Sequence, residues 1–311
     1  NNTEIWGIIP MSENKLLIAT QNKGLFLYDF KNAMPWETEA NTFIKKNSSL
    51  GGVLVKDRFI VLNSVLNGII ICDTNGKIIQ HINHKKGLQN NTVLTSFIDK
   101  SKNIWLGLDN GIAFVNDNSP FTYFGFSYDI STVYASVVHK GNLYVATNQG
   151  VFYHSWNIPF QEGNFSLVEG TTGQTWNIQS IDGQLLCANN NGALLIEENR
   201  TVKILDSNGY FSFKKIPNDP NHIVGANYNG FAIFEKNSSG WKFLNQISGF
   251  DKPSNSFEID ASYLWLKKDG LIYQMEISKD LTKFNSIKTH KNLSNSIKGI
   301  GSIQTIKNAV Y

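Results

Sequence analysis

Two histidines and a pair of adjacent carboxylates come nearest to a catalytic or metal-binding set in this sequence. His81 and His84 form an H-x-x-H pair, but the helix and glutamate of an H-E-x-x-H zinc motif are missing, so a solvated turn is the simpler interpretation. Glu197 and Glu198 would point to opposite faces of an extended strand, which makes them poor acid–base partners. The sequence has neither a Gly-x-Ser-x-Gly elbow nor a phosphate loop. We therefore expect no enzyme activity, no metal and no cofactor.

Aromatic side chains give a stronger indication, and that indication is of binding. Five of them stand at the start of predicted innermost strands: Trp6, Tyr134, Trp176, Phe211 and Phe257. Rings of this kind stack on a sugar or another flat apolar surface while nearby amides fix its orientation. Loops expected on the same face carry Asn110, Asn148, Asn190 and Tyr228. These nine residues are the candidate ligand-binding site. The alternatives are that the rings pack between structural repeats and that the asparagines only form turns.

Seven glycines, spaced 38 to 44 residues apart, reveal the internal repeat that must position these side chains: Gly24, Gly68, Gly111, Gly150, Gly192, Gly230 and Gly270. This spacing is typical of four-stranded propeller blades. Asn, Asp or Gln precedes six of the seven, and Asn-Gly and Asp-Gly favour type I′ hairpins. The sequence therefore predicts seven equivalent hairpins.

The residues around each glycine indicate strands covered on both faces. Apolar runs such as Ile69-Ile70-Ile71 follow the glycine without alternation, as in blades that lie between other blades. In the third unit the predicted strands are 93–98, 104–108, 112–115 and 121–124, and no ten-residue stretch shows a helical period. The prediction is an all-β, seven-bladed β-propeller of four-stranded blades, spanning residues 1–290 as one domain.

Residues 291–311 do not complete this pattern. Leu293-Ser294-Asn295-Ser296-Ile297 echoes the start of the third unit, and the sequence stops at Ala309-Val310-Tyr311, where a second strand should be under way. We expect this segment to be the truncated start of a following repeat or domain.

Composition excludes several classes of protein. Arg58 and Arg200 are the only arginines, so the three-arginine cluster of propeller sialidases is absent and no nucleic-acid binding is expected, although the net charge is +3. No apolar run approaches the length that spans a bilayer, so no membrane insertion is expected. Cys72 and Cys187 lie in apolar runs of non-adjacent units, which favours two buried free thiols.

The third unit resembles the two-component regulator propeller repeat. It contains Gly87-Leu88, a strand, an Asp99 turn, Asn103-Ile104-Trp105-Leu106-Gly107 and Asn110-Gly111-Ile112, and weaker copies begin at Lys15 and Gly141. The resemblance implies the extracytoplasmic, periplasmic sensor region of a membrane-bound regulator of the kind common in Bacteroidetes. It also implies a following propeller or triple-tyrosine domain as partner, and often a glycan ligand. The sixth and seventh copies depart from the motif.

Three functions remain open from the sequence. The first is a periplasmic sensor propeller that binds an oligosaccharide, another glycan or a similar small molecule. The second is a protein-interaction scaffold, and the third is a carbohydrate lyase or hydrolase whose catalytic residues are not recognisable, since a fold does not fix a function. A homodimer also remains open.

Overall fold

A computed structural model of the 311-residue chain describes residues 4–56, 58–116, 124, 128–156, 163–291, 303–306 and 309–310. The chain divides into two compact units, one comprising residues 1–130 with 157–164 and the other residues 131–156 with 165–311. Each unit is a series of antiparallel sheets in which consecutive strands of the chain are neighbours. Seven such sheets follow one another, and the fold is the all-β, seven-bladed β-propeller that the repeat predicts.

The first unit contains three of the sheets. Its strands are β1 (Ile5–Ser12), β2 (Lys15–Thr20), β3 (Gly24–Tyr28) and β4 (Ala33–Pro35), then β5 (Ser49–Val55), β6 (Phe59–Ser64), β7 (Ile69–Asp73) and β8 (Ile78–Ile82), then β9 (Val93–Ile98), β10 (Ile104–Leu108) and β11 (Ile112–Val115). The three described strands of the third sheet have the predicted bounds, while most of the predicted fourth strand, residues 121–123, lies outside the described residues.

The second unit contains the other four sheets. They are formed by β12 (Val133–His139), β13 (Asn142–Thr147), β14 (Gly150–Ser155) and β15 (Ser166–Leu167), by β16 (Thr175–Ile181), β17 (Gln184–Asn189), β18 (Gly192–Glu197) and β19 (Arg200–Asp206), by β20 (Tyr210–Ile216), β21 (Asp219–Asn227), β22 (Gly230–Asn237) and β23 (Gly240–Gln246), and by β24 (Phe257–Ile259), β25 (Leu264–Lys268), β26 (Leu271–Ile277) and β27 (Phe284–Lys291). A short hairpin, β28 (Thr305–Ile306) with β29 (Ala309–Val310), follows. The boundary at residue 290 stays a prediction.

All seven repeat glycines lie at hairpins between the second and third strands of their sheets, and all have positive φ. The type I′ geometry predicted for the six hairpins in which Asn, Asp or Gln precedes the glycine is nevertheless wrong at five, because only Asp269 among those preceding residues also has positive φ. At the hairpins of the first, second, fourth, fifth and sixth sheets a polar side chain at the end of the second strand supports the turn. The Thr147 hydroxyl donates to the Gly150 carbonyl at 2.8 Å, and the Asn189 amide oxygen accepts from the Asn191 N–H at 2.8 Å.

One α-helix, α1 (Glu39–Asn47), interrupts the strands of the first unit, whereas the sequence predicted none. Its nine residues are fewer than the ten-residue window in which a helical period was sought. The Thr38 hydroxyl accepts from the Asn41 N–H at the N-terminus, and Ala40 and Ile44 are buried between the first two sheets.

Neither α1 nor the 3₁₀ helix His84–Lys86 has the length and hydropathy to cross a membrane, and the described part of the chain has no other candidate.

The Asp–Trp pattern of the third sequence repeat, which forms the third sheet, has a structural explanation. The Asp99 carboxylate accepts from the Asn103 N–H at 2.9 Å, the Asn103 amide at 3.0 Å and the Trp105 indole at 3.0 Å. Hydrogen bonds from Asn103 and Trp105 lower the pKa of Asp99 to about 2. The seventh sheet repeats the device, with the Trp265 indole donating to Asp260 at 2.7 Å. The motif therefore fixes the turn between a first and a second strand.

The two cysteines are free and buried, as the sequence predicted. Burial raises the pKa of Cys72 to about 12 and that of Cys187 further still. We expect neither thiol to react with a disulfide reagent in the native protein at neutral pH, and both to react after unfolding without reductant. Thiol titration before and after adding denaturant measures this, and finding a single thiol or none in the unfolded protein would contradict the blade assignment.

Candidate functional site

Three neighbouring sheets of the second unit bring four of the candidate aromatic residues together. Tyr134 of β12 contacts Trp176 of β16, with ring centroids 5.3 Å apart. Trp176 contacts Phe211 of β20 at 5.6 Å, and Phe211 contacts Tyr228, which follows β21, at 4.8 Å. The interplanar angles lie between 46° and 56°. We call these four residues the aromatic cluster.

A bulge at the start of each innermost strand places the rings of the cluster. Val133 pairs with Thr147 and Ala135 with Ala146, so Tyr134 is an extra residue without a partner in the ladder. The same irregularity leaves Trp176 and Phe211 outside the pairing of their strands. A bulge re-aims a side chain relative to the regular alternation of a strand, which explains why these large rings keep exposed surface instead of packing between blades.

The bulge recurs in the first unit, where it carries Trp6, Leu94 and the pair Leu50–Gly51. Trp6 is 44% exposed, and its indole donates to Glu4 at 3.1 Å. Sequence reasoning missed Leu50 and Leu94 because it looked only for aromatic residues at these positions. Leu50 and Leu94 lie 18 and 17 residues before their repeat glycines, within the range of 16–19 residues that holds for Trp6, Tyr134, Trp176 and Phe211, and this spacing would have found them. Trp6 and Asn110 belong to the first unit and are not members of the aromatic cluster.

Phe257 is not a site residue. It pairs in register with Leu266, the described part of β24 has no bulge, and the side chain is only 2% exposed. Its ring instead packs edge-to-face on Phe231 at 5.3 Å, inside the core between the sixth and seventh sheets. Without the extra residue, the ring follows the regular alternation into the core.

Polar contacts hold the cluster in shape. The Trp176 indole donates to the Tyr228 hydroxyl at 3.0 Å, which joins the fifth and sixth sheets. The Tyr228 N–H donates to the Gly209 carbonyl at 3.0 Å, and a Cβ built on Gly209 would lie 2.6 Å from the Tyr228 ring. Only glycine leaves room for this ring, so Gly209 is a positioning residue that the sequence analysis missed.

A buried tyrosine anchors the strand that carries Phe211. Tyr210 is fully buried, and its hydroxyl donates to Asp206 at 2.6 Å. Burial and the neighbouring Asp206 carboxylate raise the pKa of Tyr210, so the hydroxyl keeps its proton and remains a donor. The buried Tyr210 therefore fixes the start of β20, while the next side chain, Phe211, remains half-buried in the aromatic cluster.

Two of the three predicted asparagines, Asn148 and Asn190, occupy equivalent positions in their sheets, and Asn110 does not. Asn148 and Asn190 are exposed, and their backbone N–H groups donate to Thr132 and Gln174 in the loop before the innermost strand, at 3.3 and 2.8 Å. The Tyr228 bond to Gly209 is the equivalent contact, as is the bond from Asp109 to Thr92 at 3.1 Å in the third sheet. Asp109 therefore occupies the position expected for Asn110, which lies one residue further along an exposed turn.

The histidine pair does not form a metal site. His81 lies half-buried in β8, with Nε2 2.7 Å from the Asn67 carbonyl, so its interpretation as part of a solvated turn is wrong. His84 is exposed in the 3₁₀ helix, and its Nδ1 lies 2.9 Å from the Leu88 carbonyl. Among the described residues no three His, Cys, Asp or Glu side chains lie close enough to hold a metal ion.

Comparison with known proteins bears on the fold. No protein-family model and no curated protein matches the sequence. The extracellular domain of a hybrid two-component system from B. thetaiotaomicron is similar over 92% of this chain and 45% of its own, with 16% sequence identity and a TM-score of 0.55. The two chains share one fold.

Two further solved structures are similar at lower scores. The extracellular domain of a one-component system from B. thetaiotaomicron covers 100% of this chain and 46% of its own length, with 16% identity and a TM-score of 0.44. The WD40 β-propeller domain of Doa1 covers 93% and 84%, with 10% identity and a TM-score of 0.39. The present chain spans less than half the length of either B. thetaiotaomicron domain.

Proposed function

We propose that this propeller is a non-catalytic, ligand-binding part of an extracytoplasmic sensor in a membrane-bound signal-transduction regulator. The motif of the third sequence repeat supports this assignment, as does the fold shared with the extracellular domain of a hybrid two-component system. The observation that carries the proposal is the aromatic cluster, in which bulges on successive innermost strands carry partly exposed rings that contact one another.

The chemistry of the cluster suits a carbohydrate. The face of a sugar ring carries C–H groups that pack on aromatic rings, while its edge carries hydroxyls that need hydrogen-bond partners. Tyr134 is 45% exposed and offers both a ring and a hydroxyl, and the exposed amides of Asn148 and Asn190 come from the neighbouring hairpins. These groups are uncharged, so we propose a neutral oligosaccharide rather than a phosphorylated ligand.

Replacing Trp176 by alanine tests the site. The change removes the central ring and the hydrogen bond to Tyr228, and we expect it to weaken binding by about 1–3 kcal/mol, roughly 5- to 150-fold in Kd. Isothermal titration with cellohexaose, xylohexaose, maltohexaose and hexagalacturonate measures the affinity of the wild type and the variant. Thermal melts of the same samples separate a loss of binding from a loss of folding.

Trp265→Ala is the matched control, because Trp265 lies in the same unit with its indole bonded to Asp260 instead of to the cluster. It should leave the affinity for the sugar unchanged. Equal affinity of wild type and Trp176→Ala for a bound hexasaccharide would place the site elsewhere. If the protein binds the following domain but no sugar, and Trp176→Ala loses this binding, the scaffold function is favoured instead.

A further inference from the structure

Six Asn-Gly dipeptides occur in the sequence, and their chemistry makes each a site of spontaneous modification. They are Asn67-Gly68, Asn75-Gly76, Asn110-Gly111, Asn191-Gly192, Asn208-Gly209 and Asn229-Gly230. In such a pair the glycine backbone nitrogen can attack the asparagine side-chain carbonyl, since no Cβ on the glycine hinders the approach. The reaction needs a main chain that is free to move and a glycine N–H that water or hydroxide can deprotonate.

Five of the six glycines are buried, which opposes this reaction. The Gly68 N–H donates to the Asn91 carbonyl at 2.8 Å, and the Gly76 N–H donates to the Asp73 carbonyl at 3.0 Å. Gly192 and Gly230 are paired within sheet ladders, opposite Asn189 and Asn227. Gly209 lies beneath the Tyr228 ring.

Gly111 differs from the other five. Both Asn110 and Gly111 are exposed, and they lie in the turn between β10 and β11, where the Gly111 carbonyl accepts from the Leu108 N–H at 2.9 Å. An added Cβ at Gly111 would approach only the end of the flexible Gln89 side chain, at 3.0 Å, so the backbone here is not packed against other main chain. Of the six turns, this is the one whose glycine is exposed to the water or hydroxide that must deprotonate its N–H.

We propose that Asn110 is the deamidation site of the folded protein. The Gly111 nitrogen loses its proton to solvent and bonds to Cγ of Asn110, the bond from Cγ to the side-chain nitrogen breaks, and ammonia leaves. Water then opens the cyclic imide to aspartate or isoaspartate. The product places a new carboxylate beside Asp109, on the hairpin of the third sheet. This inference does not depend on the proposed function.

The experiment compares all six sites in one sample. Folded wild-type protein is incubated in mildly alkaline buffer, and peptide mapping by mass spectrometry follows the gain in mass that replaces the amide by a carboxyl group. We expect Asn110 to react faster than the other five by on the order of tenfold, because burial keeps water from their glycine N–H groups and because a hydrogen bond worth about this factor also holds the N–H of Gly68 and of Gly76. In protein unfolded by urea the six rates should converge, because the protection of the other five comes from the fold.

Isomerisation of Asp182-Gly183 or Asp269-Gly270 leaves the mass unchanged and so is not counted in this measurement. Asn110→Gln is the control variant, and it should abolish the mass gain of that peptide while leaving the other five rates as they were. Another Asn-Gly site that reacts as fast as Asn110 in the folded protein would overturn the proposal. It would also be overturned if Asn110 reacts as slowly as the slowest of the six sites and unfolding does not change its rate.

Discussion

Phe231→Ala is expected to lower the free energy of unfolding by about 3–5 kcal/mol, the range for removing a fully buried phenylalanine. The Phe231 ring is 0% exposed and contacts Phe250, Phe257 and Phe284 at centroid distances of 5.9, 5.3 and 6.0 Å. These residues join the sixth and seventh sheets, so the cavity would open at an interface between blades. Urea unfolding followed by circular dichroism measures the shift in midpoint.

Phe243→Ala provides the control for this prediction. Phe243 lies in the outermost strand of the same sheet and is 36% exposed, so its removal leaves a smaller cavity and should cost well under half as much. Equal destabilisation by the two changes would mean that the sixth and seventh sheets are not joined through Phe231.

Gly7→Ala is the second change with a large expected effect, and it acts through the main chain. A Cβ on Gly7 would lie 2.4 Å from the Cα of Gly51, so β1 and β5 touch backbone to backbone at this point. We expect a loss of about 3 kcal/mol, the upper end of the cost of overpacking, because neither neighbour is a side chain that can rotate away. Thermal and urea unfolding of the purified variant measures it.

Gly107→Ala is the matched comparison, since Gly107 is also a strand glycine without positive φ. An alanine there would meet only the Thr95 methyl group, at 2.8 Å, and that side chain can change its rotamer. The variant should be much less destabilised than Gly7→Ala. If Gly7→Ala is as stable as the wild type, the close approach of β1 and β5 is wrong.

The sequence predicted the fold well because local signals repeat seven times. Apolar runs and hairpin glycines recur at nearly constant distance, so an ambiguous strand in one repeat is resolved by its equivalents in the others. Three strands of the third repeat accordingly have their predicted bounds. The helix α1 was missed because its nine residues are fewer than the ten-residue window and because the described parts of the other repeats contain no equivalent helix that would have reinforced the signal. The turn type was wrong because the supporting side chains, such as Thr147, act from the preceding strand.

The candidate site was predictable only in part. Position at the start of an innermost strand selected Tyr134, Trp176 and Phe211, whose rings the structure brings together, but the same criterion selected Phe257, which is core. The difference is an unpaired residue in each of the three bulged strands, and its only trace in the sequence is the spacing to the repeat glycine, 13 residues for Phe257 and 16–19 for the other three. The bond between Trp176 and Tyr228 joins residues 52 positions apart, so it depends on tertiary packing that a local pattern does not contain.

The recurring bulge has a consequence for how such a surface can evolve. A residue outside the ladder has no cross-strand partner, so exchanging its side chain leaves the register, the pairing and the cores between blades unaltered. The series already includes tryptophan, leucine, tyrosine and phenylalanine at Trp6, Leu94, Tyr134 and Phe211. Selection can therefore change the side chains that this surface presents, one blade at a time, without first having to rebuild the scaffold.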